Sequence, residues 1–547
     1  MQIYAAHFRH GDFLPVWSSS DAFGMGSTVL LYYHRVFFTV AGVILIVLDG
    51  ALKPTLVATL AVFMVVGAYG MRKTLGVVTG YRWLAAVGSI GFLFTNWAFT
   101  EWLVRGDLAE FAAFMFVPWL LFCCLTLVKD GRLSWLIVPV MVLLVESHSA
   151  IGLLSVIMLV STGVIFIVYN RWAGVRSVVP RLTVAVGATV AILLPLLIAE
   201  VRMGRYYDPI TVITDETGPF SSHFSHPLSY LFEPSYHWLS RSDTVFVPVQ
   251  MDLPITALLA VGLLTALGLW ATRSRRQSKA ALPQVDRPVV MLLVLGLVLY
   301  LLLQFHFTIP LYNALSVVKV IAYPFRMMTF IVPLALVLAV TVADWYLRVY
   351  RTRRPGASAL IPAGLAGAWL ISLVLLSPIT AHEPAPATRT FYPYTPFLPV
   401  VVFTPPPHSS FRTSYAAPLF QEYLPRVEQS NGSQLPYDTG LYESLYSHHA
   451  EAESLSSVPC SVVQTAGTAF ESLGATYRVT CQGPTRVALP ISYNPFTTIT
   501  ESVPGGADRS VQVLHVVTDP RIVIRVTSGG PHIFVVRLPT LAGILFG

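Results

Sequence analysis

The sequence predicts a polytopic α-helical membrane protein with about 10 to 12 membrane helices and a small C-terminal extracytoplasmic β-domain. Three observations predict it. Of 547 residues, 54% are hydrophobic and only 12% charged, with a mean hydropathy of +0.65, too apolar for a soluble chain of several domains. Up to residue 380, apolar runs approaching the ~20 residues that cross a bilayer recur between short polar loops. Beyond that point the chain changes to short β-branched runs punctuated by Gly, Pro and Asp.

In chain order, residues 1–28 are polar, aromatic and Gly-containing, and 29–48 are apolar but open with Tyr32, Tyr33, His34 and Arg35. Such a segment either spans or lies in the headgroup layer, and the interfacial reading is preferred here. Ten spans follow, at 55–71, 82–100, 110–128, 134–147, 150–169, 182–199, 255–272, 289–305, 327–346 and 359–379. Basic residues concentrate in alternate loops: Arg72, Lys73 and Arg82, then Lys129 and Arg132, Arg171 to Arg181, Arg273 to Arg287, and Arg348 to Arg354. Cytoplasmic loops carry this excess, which accounts for the net charge of +7 without a nucleic-acid partner.

The assignment places the loops at 101–109, 146–149, 200–254 and 306–326, and everything after 380, outside the cytoplasm. The expected location is therefore the cytoplasmic (inner) membrane, multi-pass. Residues 1–380 read as one membrane unit, with 1–54 as its first external loop. Because the helix at 55–71 runs inward, a spanning helix is expected before Met1. Residues 381–530 read as a Pro-rich connector and a β-sandwich, with strands in "CSVVQTA", "TYRVTC", "TRVALPIS", "SVQVLHVV" and "RIVIRVT", and 531–547 as the start of a final membrane helix. Cys123 and Cys124 read as core residues, whereas Cys460 and Cys481 lie where a disulfide is permitted.

Charged groups next to a membrane are costly unless solvated or functional. "TEWLVRGDLAEF" gathers Glu101, Arg105, Asp107 and Glu110 in one short loop, either a solvated helix start with Asp107 near the N-cap or a reactive cluster. "VESHSA" adds Glu146 and His148, "VIAYPFRM" adds Arg326, and the long loop adds His223, His226, Glu233 and His237 without a compact metal signature. External carboxylates with arginines suited to gripping phosphate point to group transfer from a lipid-phosphate donor. In that reaction Asp107 or Glu110 is a candidate general base, while Arg326 and Arg105 are candidates for the donor phosphate. Whether a divalent cation such as Mg or Mn shares that role is left open.

These stretches resemble a known family. "GDFLPVWSSSDAFGMGSTVLLYY", "VRGDLAEFAAFMFVPWL", "ESHSAIGLL", "HFSHPLSYLFEPSYHW", "VIAYPFRM", "EYLPR" and "VALPISYNPFTTIT" occur in an order similar to GT-C superfamily membrane glycosyltransferases. More closely, the chain resembles the bacterial and archaeal membrane proteins with a "6-pyruvoyl-tetrahydropterin synthase-related domain", although nothing in it resembles pterin-synthase zinc ligands. The resemblance implies a polyprenyl-phosphate sugar donor, a cell-envelope acceptor and membrane-surface helices in the first external loop. It also implies a catalytic acid in that loop, upstream of Met1, leaving Asp12 as a substitute; Asp107 and Glu110 then match the acidic second loop and Arg326 a donor-phosphate position. Two alternatives are a transporter or flippase of a lipid-linked intermediate, for which internal repeats and mid-bilayer polar groups are lacking in the sequence, and a non-catalytic envelope-assembly protein.

Overall fold

The computed structural model describes residues 1–19, 25–204, 206, 251–273, 286–315, 321, 323–353, 360–375, 453–466, 474–502, 507–516 and 519–546. Helices α1 (Gln2–Arg9), α2 (Val29–Tyr32), α3 (Val36–Val47), α4 (Leu52–Val78), α5 (Arg82–Leu93) and α6 (Asn96–Phe99) lead into a π-helical turn at Thr100–Arg105. Then come α7 (Leu108–Asp130), α8 (Ile137–Ser147), α9 (Ser149–Met203), α10 (Leu253–Arg273), α11 (Arg287–Leu302), α12 (Ile309–Ala314), α13 (Met328–Arg353) and α14 (Leu360–Leu375). Nine strands and α15 (Leu541–Phe546) complete the order: β1 (Glu453–Ser454), β2 (Cys460–Ala466), β3 (Gly474–Cys481), β4 (Thr485–Ser492), β5 (Thr498–Ser502), β6 (Arg509–Val511), β7 (Leu514–Val516), β8 (Asp519–Val526) and β9 (Gly530–Arg537).

Among the described residues, six segments are helical, long and apolar enough to cross a membrane: Leu52–Val78, Arg82–Trp102, Leu108–Asp130, Ser149–Tyr169, Val175–Met203 and Pro324–Arg351. With the all-β C-terminal region, they make this a helical membrane protein carrying a β-domain. The expected spans at 134–147, 255–272, 289–305 and 359–379 are helical but shorter or only partly described, and the segment at 29–48 yields a helix of 12 residues. At 1.5 Å per residue that helix reaches about 18 Å, short of a ~30 Å hydrocarbon core. The loop expected between 150–169 and 182–199 is instead helical, so α9 runs unbroken over 55 residues. Arg171, Arg176 and Arg181 signal a membrane boundary, but arginine is a good helix former and does not end the backbone ladder.

The chain divides into two compact units: Met1–Ala58 with Leu193–Gly218 and Tyr394–Gly547, and Thr59–Ile192 with Pro219–Pro393. This departs from the expected division at residue 380, because the opening residues belong with the β-domain. In that first unit, two antiparallel sheets, ordered β1-β4-β8-β7 and β2-β3-β9-β5-β6, face each other across one core. Tyr477, Val479, Phe534 and Val536 come from one sheet and Val487, Leu489, Ile522 and Ile524 from the other. Cys460 and Cys481 are joined in register between β2 and β3.

Trp17 fills the same core, almost wholly buried, and Ser492 N–H donates to the Met25 carbonyl at 2.8 Å. Its loop is shaped by His7, whose ring nitrogens meet Asp12 Oδ2 at 2.8 Å and the Trp17 carbonyl at 2.9 Å. The predicted final membrane helix is corrected here: "HIFVVR" alternates with period 2 and forms β9 between β3 and β5, leaving only Leu541–Phe546 helical.

In the second unit α7 and α13 are the innermost helices, with Phe111, Phe114, Phe330 and Leu334 fully buried. α4 closes on α7 through Gly70, where a Cβ would lie 2.6 Å from the Trp119 ring, and Trp119 Nε1 donates to the Val66 carbonyl at 3.0 Å. Val62, Val65, Val160, Val164, Val184 and Val190 are exposed, an apolar surface suited to lipid. Near the C-terminal end of α13, Asp344 accepts from Thr79 at 2.6 Å and pairs with Arg348 at 2.6 Å, a local helix-end role.

Candidate functional site

The heads of α7 and α13 carry most of the predicted charged residues, and the local backbone explains why they converge. Gly106 takes φ +67°, a left-handed conformation open to glycine, and so turns the chain from the π-helical turn into α7. Asp107 then caps α7, its Oδ1 accepting the Glu110 N–H at 2.9 Å. The π-helical turn widens the spiral so that Glu101, Arg105 and Glu110 share one face.

Arg105 stands among three carboxylates. Its Nη1 donates to Glu101 Oε1 at 2.6 Å and Glu110 Oε2 at 2.9 Å, and its Nη2 to Asp107 Oδ2 at 3.3 Å. Trp97 and Phe325 cover the guanidinium, with ring centroids 5.9 and 5.0 Å away. From the head of α13, Arg326 Nε donates to Glu110 Oε2 at 3.1 Å and Nη1 to the Ile321 carbonyl at 2.7 Å, while its Nη2 has no bonding partner among the described residues. Trp97 Nε1 donates to Thr329 Oγ1 at 3.1 Å, and Thr329 Oγ1 donates to Glu110 Oε1 at 3.3 Å. His148 Nε2 lies 3.9 Å from Glu110 Oε2, too far for a hydrogen bond.

Burial opposes the charge on Asp107, yet His148, Arg105, Arg326 and the Glu110 N–H more than reverse it and bring the carboxyl down to about 2. Burial, with help from Arg326, brings the His148 imidazole down to about 3, so at neutral pH it is uncharged and the arginines are the partners of Asp107. Burial also works against Arg105, but the surrounding carboxylates raise it further, so it stays charged.

These shifts set an acid limb. His148 titrates lower folded than unfolded, so its contribution is fully present above the ordinary value of 6.5 and is lost as pH falls towards about 3. Asp107 adds a second loss in the same direction, from the ordinary 3.8 towards about 2. Stability against thermal unfolding in nanodiscs is therefore expected to fall steadily below pH 6.5, and His148→Gln to flatten the part of that limb above about 4. An equally steep limb in the variant would remove His148 from this role.

Sequence reasoning anticipated Glu101, Arg105, Asp107, Glu110, His148 and Arg326, and the structure brings them together. Glu146 is half-buried in the last turn of α8. Asp12 belongs to the other compact unit, where His7 holds its carboxylate. His223 and His226 lie outside the described residues, as does the connector 381–425.

Unanticipated were Trp97 and Thr329, Asp252 immediately before α10, and Gln304 just beyond α11. Asp252 preceding a long apolar run was the only available signal among them. Gln304 reaches the same level of the bundle: one turn earlier, Tyr300 donates to the Leu154 carbonyl at 2.8 Å and stacks on Phe330 at 4.7 Å.

What separates this cluster from a closed knot of ion pairs is its unmet hydrogen-bonding capacity. Glu101 Oε2, Trp102 Nε1, Ser147 Oγ, Asp252 Oδ2 and both Gln304 amide atoms are buried without a partner among the described residues. Each such atom costs about 1–3 kcal/mol, and native structures keep few of them. They come from separate helix ends: Glu101 and Trp102 lie on the segment that carries Arg105, Ser147 precedes His148, and Asp252 is bonded to Asn96.

A metal ion is the obvious occupant to test. Ligand atoms of Asp107, Glu110 and His148 lie within 4.8 Å of one another. However, both Asp107 oxygens and both Glu110 oxygens already accept from Arg105, Arg326, Thr329 or backbone N–H. An ion among them would stand beside the guanidinium groups of Arg105 and Arg326, which already offset the charge of these carboxylates, so the residues as arranged favour the arginines over a divalent ion.

No protein-family model, no curated protein and no solved structure matches the chain.

Proposed function

We propose that the chain is a membrane glycosyltransferase, moving a sugar from a polyprenyl-phosphate donor to a cell-envelope glycan, lipid or protein acceptor on the extracytoplasmic face of the cytoplasmic membrane. The observation that carries this reading is Arg326. It is anchored on one side by Glu110 and Ile321 and keeps Nη2 unbonded among the described residues, at the head of a membrane helix. A guanidinium so placed suits a phosphate held at membrane level.

The orientation follows from charge. The cluster caps α7 and α13 at the ends away from Lys129 and from Arg348 and Arg351, and basic ends face the cytoplasm. In the transfer, the acceptor oxygen forms a bond to the sugar's anomeric carbon as the bond from that carbon to the phosphate oxygen breaks. The acceptor's proton passes to a carboxylate, and the electron pair leaves with the phosphate, whose charge Arg326 offsets. The apolar helix faces retain the polyprenyl chain.

The test is donor turnover: full-length protein in nanodiscs, radiolabelled polyprenyl-phosphate sugars and a cell-envelope extract. Label is expected to move from lipid to polymer. Arg326→Ala is expected to lower turnover and weaken donor binding at least ~10-fold, as loss of a charged hydrogen bond worth about 1.5–3 kcal/mol implies, and Asp107→Asn to lower turnover through the disturbed helix start. Lipid binding without consumption of any donor would replace the reading by transport or assembly.

A further inference from the structure

The glycosyl-transfer reading needs a proton acceptor, and the carboxylates that the sequence offered are poorly suited to it. Asp107 is held near 2, too weak a base for neutral pH. Glu110 has a guanidinium or hydroxyl donor on each oxygen. Glu101 keeps Oε2 unpartnered among the described residues, but its Oε1 is tied to the Arg105 guanidinium at 2.6 Å.

Asp252 differs from all three in having no arginine on either oxygen among the described residues. Its backbone carbonyl starts α10 by accepting the N–H groups of Ile255 and Thr256 at 3.0 and 2.9 Å, which fixes the residue at the helix head. Oδ1 accepts the Asn96 N–H at 2.7 Å, which fixes the carboxyl plane, while Oδ2 is buried and unpartnered among the described residues. Asn96 precedes Trp97, whose indole reaches Glu110 through Thr329, so Asp252 is tied to the segment that forms the cluster wall.

The charged groups on the elements packed around it are Glu101 and Arg105 on the 96–105 segment and Arg326 at the head of α13. They are bonded to one another or to Glu110 and Asp107, and among the described residues no cation lies within ion-pair distance of Asp252. With no cation to oppose it, burial pushes the Asp252 carboxyl up to about 7.

We propose that Asp252 is the carboxylate that takes the proton from the acceptor hydroxyl. This rests on the glycosyltransferase reading. Oδ2 receives the proton as the acceptor oxygen bonds to the anomeric carbon, the phosphate departs with its electron pair, and the proton leaves Asp252 for solvent before the next turnover.

The experiment compares wild type with Asp252→Asn, Asp252→Glu and Glu101→Gln in nanodiscs, measuring labelled-donor binding, turnover across pH 5–9 and the infrared band of protonated carboxyl groups. Asp252→Asn is expected to bind donor within about two-fold of wild type while turnover falls at least ~100-fold, the usual contribution of a general base. Wild-type turnover should rise through pH about 7, with a protonated-carboxyl band that fades over the same interval. That band should be missing in Asp252→Asn, and Asp252→Glu should restore part of the activity.

Turnover of Asp252→Asn within about three-fold of wild type would overturn the proposal, as would loss of the pH rise in Glu101→Gln instead. If wild type consumes no donor, the glycosyltransferase reading fails on its own account and the infrared titration decides for Asp252. An unchanged band in Asp252→Asn would then remove its proton-holding role as well.

Discussion

Trp17→Ala is expected to destabilise the unit that contains the β-domain by about 3–5 kcal/mol, the usual cost of emptying a large aromatic site in a core. The indole is almost wholly buried against Tyr477, Val487, Leu489 and Ile524, residues more than 450 positions further along the chain. Limited proteolysis of the nanodisc-held protein is the measurement. Cleavage within 453–546 should accelerate sharply in Trp17→Ala and much less in Trp17→Phe. Gly26→Ala should act in the same direction, because Gly26 takes φ +83° and an added Cβ would lie 2.5 Å from Trp17 Nε1. Wild-type proteolysis rates in both alanine variants would mean that the opening residues merely rest against the sandwich.

Glu110→Ala should cost a similar amount, about 3–5 kcal/mol, for an electrostatic reason. Removing one member of a buried ionic cluster leaves the others uncompensated. Glu110 is fully buried, and it is the only carboxylate within ion-pair distance of Arg326 among the described residues, while Arg105 keeps Glu101 and Asp107. Thermal unfolding followed by tryptophan fluorescence should show the loss. Glu110→Gln with Arg326→Met should recover part of it, since the second change removes the stranded charge. A double variant no better than Glu110→Gln would place the cost in packing around α7.

Both of these contacts join residues far apart in the chain, and that distance marks the limit of what could be read along it. Helical runs, their apolar length and the alternation in "TYRVTC" and "RIVIRVT" are local properties, because side-chain period and propensity act over a few residues. The charged group at 101–110 was equally legible, since one turn brings those residues together whatever the rest of the fold does. Membership of the opening stretch in the β unit was not legible, because burying Trp17 depends on strands that lie hundreds of residues away.

The final segment misled for a related reason. "HIFVVR" is apolar enough for a membrane helix, and only pairing with β3 and β5 decides for strand. By itself the sequence determined a helical membrane protein with a β-domain and an acidic, arginine-bearing helix start. Tertiary structure alone decided that Arg326 meets Glu110 across 216 positions and that Asp252 is buried with no cation beside it among the described residues. Electrostatic partnership depends on distance in space and on exclusion of water, and neither is encoded in the spacing of residues along the chain.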